Sequence, residues 1–295
     1  MKRIELGEKM DNTAVALGQF EAMHIGHSAV IKAAAESGYS PAVLTFKHGT
    51  LRKGDGRDVL TDEERMELFA SLGVEIVIEA DFEKLRDHSP KRFVKEILRD
   101  TLDARFVSCG FNYRFGAQAS GDCDTLTALC EKEKISVSVS PQVTVDGVTV
   151  STTAIRALLD SGDIVTANRM LGREFGYDFT VLDGQKLGRT LGAPTINQYF
   201  PENFLCPKFG VYASRTQVGD ICYPSVTNVG VRPTVGSDAP LSETWICGFS
   251  GDLYGKNPKV SLMQYLRGEK KFSSLDELKN AIIADGERAK ELFYA

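Results

Sequence analysis

Two histidines, His24 and His27, flank Gly26 in the run Leu17-Gly18-Gln19-Phe20-Glu21-Ala22-Met23-His24-Ile25-Gly26-His27. The run joins a short apolar stretch to an amphipathic one, where a strand would pass into a helix. In an open α/β sheet, ligands sit outside the carboxyl ends of the strands. A helix N-terminus there offers backbone N–H groups and a positive dipole end to anions. A spacing of three puts both imidazoles on one helix face, where each can donate to a phosphoryl oxygen. Gly26 lets the backbone come close. Gly18 and Phe20 share the loop and are read with Gly26 as nucleotide contacts. The competing reading is a pair of surface or satisfied core histidines.

Two further stretches could meet phosphates. Ser151, Thr152 and Thr153 place hydroxyls at a helix start, and Arg156 follows one turn on, a donor set suited to a triphosphate. It could equally be a helix cap followed by an exposed arginine. Later, Gly184, Gly188 and Arg189 lie in a glycine-rich run that permits a tight wrap around phosphates. The run ends in Pro194-Thr195-Ile196-Asn197. Thr195 and Asn197 lie two apart, on one side of an extended segment, and their oxygens suit magnesium carried by a nucleotide. The alternative is a glycine-rich barrel turn.

The elements that must position these groups change character along the chain. Strands are expected at Ala14 to Gly18, Pro41 to Phe46, Val74 to Ile78, Arg105 to Cys109 and Ile135 to Val139. Between them fall helices from Gly26 to Ser37, from Thr61 to about Gly73, from Ser89-Pro90 onward, and from Asp124 to Lys132. Alternation of this kind predicts a Rossmann-like α/β domain with a parallel sheet. Helices at Thr153 to Asp160 and Asp163 to Leu171 follow. From Phe179 to Arg267 short strands are broken by Gly, Pro and Asn: Val181-Leu182, Val211 to Ala213, Val226-Thr227, Trp245 to Phe249 and Val260 to Tyr265. That pattern predicts a small antiparallel β-barrel. A last helix from Leu275 to Phe293 starts with a Ser274/Glu277 capping box. Its apolar stripe is Leu275, Leu278, Ile282, Ala289 and Leu292.

The bulk properties agree with two soluble domains, set at 1–173 and 178–295. The chain has 295 residues, against roughly 150 per domain. Its net charge of −5 argues against a broad nucleic-acid surface. No run is long and apolar enough for a bilayer, and the start lacks a signal-peptide core. The expectation is a cytoplasmic protein without nucleic-acid or membrane partners; its oligomeric state is not legible. None of the six cysteines forms a C-x-x-C pair, so zinc and disulfides are not expected.

The H-x-G-H run resembles the nucleotidylyltransferase superfamily. Gly110-Phe111-Asn112-Tyr113-Arg114-Phe115-Gly116 with Gly121-Asp122, and Val150 to Arg156 with Leu171-Gly172-Arg173, are similar to segments of bacterial bifunctional flavin synthetases. Gly184 to Asn197, Asn228 to Thr234, Glu243-Thr244, Asp252 to Gly255 and Arg267 to Phe272 resemble riboflavin kinase motifs. The resemblance spans nearly the whole chain. It implies ATP-dependent phosphorylation of riboflavin to FMN by the barrel, and adenylylation of FMN to FAD, with release of pyrophosphate, by the first domain. The small-molecule partners would be ATP, riboflavin and FMN, with magnesium accompanying ATP. It implies Glu243 as general base, His24, His27 and Arg156 as groups stabilising phosphate charge, and Asn112, Asn228, Arg232 and Arg267 as flavin contacts.

The chain departs from the family pattern at four places. Glu21-Ala22 stands for Asp-Gly, Phe46-Lys47-His48-Gly49 for F-x-P-H-P, Ala193 for phenylalanine, and Trp245 for the histidine after Glu-Thr. Trp245 reads either as a flavin neighbour or as a core aromatic. Other readings are a different nucleotidylyltransferase, a class I aminoacyl-tRNA synthetase fragment, an enzyme with one active half, and a flavin-binding regulator with drifted catalytic groups.

Overall fold

The computed structural model describes residues 1–47, 50, 56–183, 193–231 and 239–295. His48, Gly184, Gly188, Arg189 and Arg232 therefore lie outside the described residues. The chain divides into two compact units, Met1–Thr152 and Thr153–Ala295.

The first unit is a six-stranded, wholly parallel sheet. Its strands are β1 (Lys2–Glu5), β2 (Thr13–Leu17), β3 (Ser40–Phe46), β4 (Ile76–Ala80), β5 (Ala104–Gly110) and β6 (Ser136–Ser140), ordered β1-β4-β3-β2-β5-β6. Every residue of β2 is buried, as a central strand covered on both faces requires. Its side chains alternate between two cores: Val15 and Leu17 on one face, Ala14 and Ala16 on the other. The principal helices are α1 (Ile25–Ala35), α2 (Asp62–Ser71) and α5 (Cys123–Lys132), with short α3 (Phe82–Leu85) and α4 (Pro90–Arg92). After α4 the chain continues as a wider π turn, Phe93–Thr101. Thr61 caps α2 through its hydroxyl, which accepts from the Glu64 N–H at 3.1 Å.

From β2 the chain winds to β3 and β4 on one side, then returns to place β5 on the other. The order reverses between β2 and β5, which is where such sheets bind ligands. β1 was absent from the sequence reading. It has one apolar residue among three charged ones and buries only Ile4, so it is an edge strand recruited by β4. A hairpin of β7 (Thr144–Val145) and β8 (Val148–Thr149) ends the unit.

The division falls at the first residue of α6 (Thr152–Ser161), and the second unit takes the rest of that helix and α7 (Ile164–Leu171). A curved antiparallel half-barrel follows, made of β9 (Phe175–Tyr177), β10 (Val181–Leu182), β11 (Thr195–Tyr199), β12 (Gly210–Val218), β13 (Ile221–Val231), β14 (Pro240–Ile246) and β15 (Lys259–Arg267). Its order is β10-β11-β14-β13-β12-β15-β9. The final helix, α8 (Leu275–Tyr294), is capped by Ser274 as expected. The strand expected at Trp245 to Phe249 lies earlier, because Gly248 at φ 79° turns the chain. β9 and β11 were not read as strands: one is three residues long, the other follows the glycine-rich run.

One face of this sheet sets buried hydroxyls among aliphatics such as Val229, Val260 and Leu262. Ser214 bonds Thr227 at 2.8 Å, Thr227 bonds Thr244 at 2.9 Å, and Ser225 donates to Thr216 at 2.8 Å. Buried polar groups must be paired, and here they pair with one another across the strands. The opposite face carries Val211, Val226 and Trp245, which pack with Ala289 of α8.

Candidate active sites

The loop leaving β2 is built by two residues with positive φ, Phe20 at 53° and Met23 at 45°. Phe20 folds its ring back over Gly18, where an added Cβ would lie 2.9 Å from the ring. The ring is buried, edge-on to Phe69 at 5.8 Å and to His27 at 5.4 Å. Phe20 thus supports His27 from below, and Gly18 makes room for Phe20. Ala22 has no positive φ, so alanine at that departure from the family pattern carries no backbone strain.

His24 is the N-cap of α1, and its Nδ1 accepts from the His27 N–H at 3.2 Å. A neutral imidazole that accepts at Nδ1 carries its proton on Nε2, so His24 is set as an Nε2–H donor. The two imidazoles stack at 3.6 Å with 16° between their planes. Gly26 lies under the His24 ring, where a Cβ would approach to 3.2 Å. The first N–H groups of a helix have no intrahelical acceptor. The result is a donor-rich helix start beside the switch point.

Asn112 stands two residues beyond β5 and is exposed. Because β2 and β5 are adjacent parallel strands, the histidine loop and the Asn112 loop leave the same sheet edge side by side. Ser151 and Thr152 lie at the start of α6, half-buried; Thr153 is exposed and Arg156 is buried within that helix.

In the second unit, strand register assembles residues far apart in sequence. Glu243 on β14 pairs with Asn197 on β11 and with Asn228 on β13. Asn228 pairs with Val211 on β12, which pairs with Arg267 on β15. Directly opposed residues point to the same face, so Asn197, Glu243, Asn228 and Arg267 share one row. Thr195 lies two residues from Asn197 on that face and pairs with Trp245.

Arg267 is held by α8: its Nη2 lies 2.7 Å from Asp285 Oδ2, and its Nε also donates to that carboxylate. Trp245 is half-buried against the same helix, with its ring over Gly286. That placement shows the packing contact of the second reading. Asp285 and Gly286 were missed in the sequence. Asp285 occupies a position of the apolar stripe between Ile282 and Ala289, and a charge there was the available signal.

Asn197 also answers for magnesium. The residue is 5% exposed, and its Oδ1 has no hydrogen-bond partner among the described residues. A buried, unpaired carbonyl oxygen next to a hydroxyl two residues away fits a hard cation. The six cysteines are free, and burial pushes the Cys109 and Cys130 thiols up to about 12.

Residues 7–154 match the FAD synthetase family and residues 171–293 match the riboflavin kinase family. A bifunctional riboflavin kinase/FMN adenylyltransferase of Pseudomonas fluorescens is 34% identical over 94% of this chain and 91% of its own. The chain belongs to the bifunctional riboflavin kinase/FMN adenylyltransferase family. The relative of that name from Listeria monocytogenes is 32% identical over 96% of this chain and 93% of its own, and that from Escherichia coli K12 30% over the same shares. A solved structure titled as a macrolide-efflux protein from Streptococcus pneumoniae shares the fold. It has a TM-score of 0.87 and covers 98% of this chain and 99% of its own, at 24% identity. No helix among the described residues is long and apolar enough to cross a membrane. Within the family segments, the His24–His27 helix start falls in the FAD synthetase part, and the Asn197–Glu243–Asn228 row in the riboflavin kinase part.

Proposed function

We propose that this chain makes FMN from riboflavin and ATP in its second domain, and FAD from FMN and ATP in its first. The observation that carries the kinase reading is the row Asn197–Glu243–Asn228, three polar side chains of the matched motifs on adjacent strands. Glu243 accepts the proton of the terminal ribityl hydroxyl as that oxygen attacks the γ-phosphorus, and ADP leaves. A carboxylate positioned for this contributes roughly 10²–10⁴-fold. Thr195 and Asn197 hold magnesium, which when bound neutralises phosphoryl charge. Asn228 and Arg232 are read as flavin contacts and Gly184, Gly188 and Arg189 as nucleotide contacts. Arg267, held by Asp285, supports the flavin side from the end of the row.

In the first domain, which we set at 1–173 with the kinase at 178–295, an FMN phosphate oxygen attacks the α-phosphorus of ATP and pyrophosphate leaves. His24 donates from Nε2 to phosphate, His27 and Arg156 balance the leaving-group charge, and Ser151, Thr152 and Thr153 add hydroxyl donors. Gly26 and the start of α1 receive the phosphates, and Asn112 meets the flavin. This is catalysis by position and charge, with no covalent intermediate. A cytoplasmic location belongs to this reading, since both steps consume ATP.

The test is a product assay with purified protein, riboflavin, ATP and magnesium, separating FMN from FAD. FMN followed by FAD is the expected course. FMN alone would remove the adenylyl half of the proposal, and bound riboflavin with neither product would leave a flavin-binding protein.

A further inference from the structure

Strand β2 parts from its neighbour β3 at Gly18. The paired positions end at Leu17 and Leu44, and the Gly18 N–H still reaches the Leu44 carbonyl at 3.4 Å. β3 runs on for two more residues, Thr45 and Phe46, against β4. The next carbonyl of the departing chain, that of Gln19, is met by a side chain: the Thr45 hydroxyl donates to it at 3.1 Å. Thr45 is 2% exposed. It stands two residues beyond Val43, on the sheet face that packs with Val30 and Ile31 of α1. A buried β-branched side chain has little rotamer freedom, so the donor is fixed in place.

The residue after this bond needs fixing. Phe20 takes φ 53° and Met23 φ 45°, a region costly to any residue with a Cβ, which persists only where the surroundings over-determine it. Two restraints act on Phe20. Its ring is wedged over Gly18 and against Phe69, and the carbonyl of the peptide that precedes it is held by Thr45. Without the second, the Gln19–Phe20 peptide is free to rotate toward ordinary φ. The Phe20 ring then leaves the edge of His27, and the His24–His27 stack loses its support. Thr45 thus connects the rigid end of β3 to the geometry of the histidine pair.

We propose that Thr45 is a positioning residue of the adenylyl-transfer half: its hydroxyl fixes the Gln19 carbonyl and so sets the turn at Phe20 that presents His24 and His27. This rests on the adenylyl-transfer reading above, and the test separates the two. Thr45→Val keeps the branched shape and removes the donor; Thr45→Ser keeps the donor. With FMN and ATP, Thr45→Val should lose about tenfold in kcat for FAD formation, the scale of one hydrogen bond, with the KM for FMN held. Thr45→Ser should restore most of that loss. FMN formation from riboflavin should be unchanged in both, because the Glu243 row lies in the other unit. Proton NMR without nucleotide gives a readout apart from turnover. The chain has four histidines, and the imidazole C–H resonances of His24 and His27 are assigned from His24→Ala and His27→Ala. Ring-current shifts from the stack and from Phe20 should collapse in Thr45→Val and persist in Thr45→Ser. A role in stability alone would lower the denaturation midpoint and leave those resonances in place. The proposal is overturned by unmoved histidine resonances in Thr45→Val, by FAD turnover at the wild-type rate, by a Thr45→Ser variant as impaired as Thr45→Val, or by a loss carried entirely by the KM for FMN. If Thr45→Val fails to fold, Thr45→Ala removes the donor without setting a methyl against the carbonyl and is read the same way. A wild-type chain that forms no FAD would sink the adenylyl-transfer reading alone, since the resonances still decide whether Thr45 holds the pair.

Discussion

Glu243, the base of the proposed kinase step, stands in its row between two amides, Asn197 on one side and Asn228 on the other. Glu243→Gln keeps the shape and removes the base. FMN formation should fall by about 10²–10⁴-fold with riboflavin binding still measurable, and wild-type turnover would take Glu243 out of the mechanism. The buried thiols are the counter-case, residues without a reaction. With Cys109 and Cys130 held near 12 and Cys247 near 11 by burial, brief iodoacetamide treatment at pH 8 should leave these three unmodified in the folded chain. Peptide mapping reads this directly. At this scale the sequence was uneven. His24 and His27 declared themselves by type and spacing in a chain with four histidines. Glu243 is one of many acidic residues and was singled out by its motif. The pairing of Asp285 with Arg267 arises from tertiary packing, which no local pattern encodes.

Helix α8 is the element on which the row's outer end depends. Gly286 lets it lie on the sheet: a Cβ there would stand 2.5 Å from the Trp245 ring. Gly286→Ala should destabilise the second unit by about 1–3 kcal/mol, as overpacking does, despite alanine's higher helix propensity. A denaturation midpoint no lower than wild type would contradict that packing. The helix start has a pH signature. Lys270 and the Ser273 N–H and hydroxyl hold the Glu277 carboxyl down to about 2, from an ordinary 4.5. Its contribution is full above about 4.5 and is lost as pH falls toward 2. Glu277→Gln should therefore flatten the acid-induced fraying of α8 in that window, read by amide exchange at its first turn. This capping box was visible in the sequence, as were the strongly apolar β2 and β3. Strands β1, β9 and β11 were not, since each is defined by the strand it pairs with rather than by its own composition. Trp245 was placed at the start of a strand and lies near the end of one, because the turn at Gly248 outweighs the apolar run.

For the whole molecule, the consequence is separability. The histidine helix start belongs to one compact unit and the Glu243 row to the other. Each half should fail alone. His24→Ala removes the cap of α1 and the Nε2 donor together, and loss of one preorganised donor at a developing charge costs about 10²–10³-fold. Given riboflavin and ATP, that variant should accumulate FMN. Glu243→Gln should leave riboflavin unphosphorylated yet convert supplied FMN to FAD. Mixing the two variants provides the sharper test, because FMN made on one chain must reach the other through solvent. If FMN is released between steps, the mixture forms FAD from riboflavin after a lag that shortens as total protein rises. If FMN passes only within a chain, the mixture stalls at bound FMN, while each variant keeps its single activity. Loss of both activities from either substitution would show that the two reactions are not independent, and would overturn the assignment of one to the His24 helix start and the other to the Glu243 row.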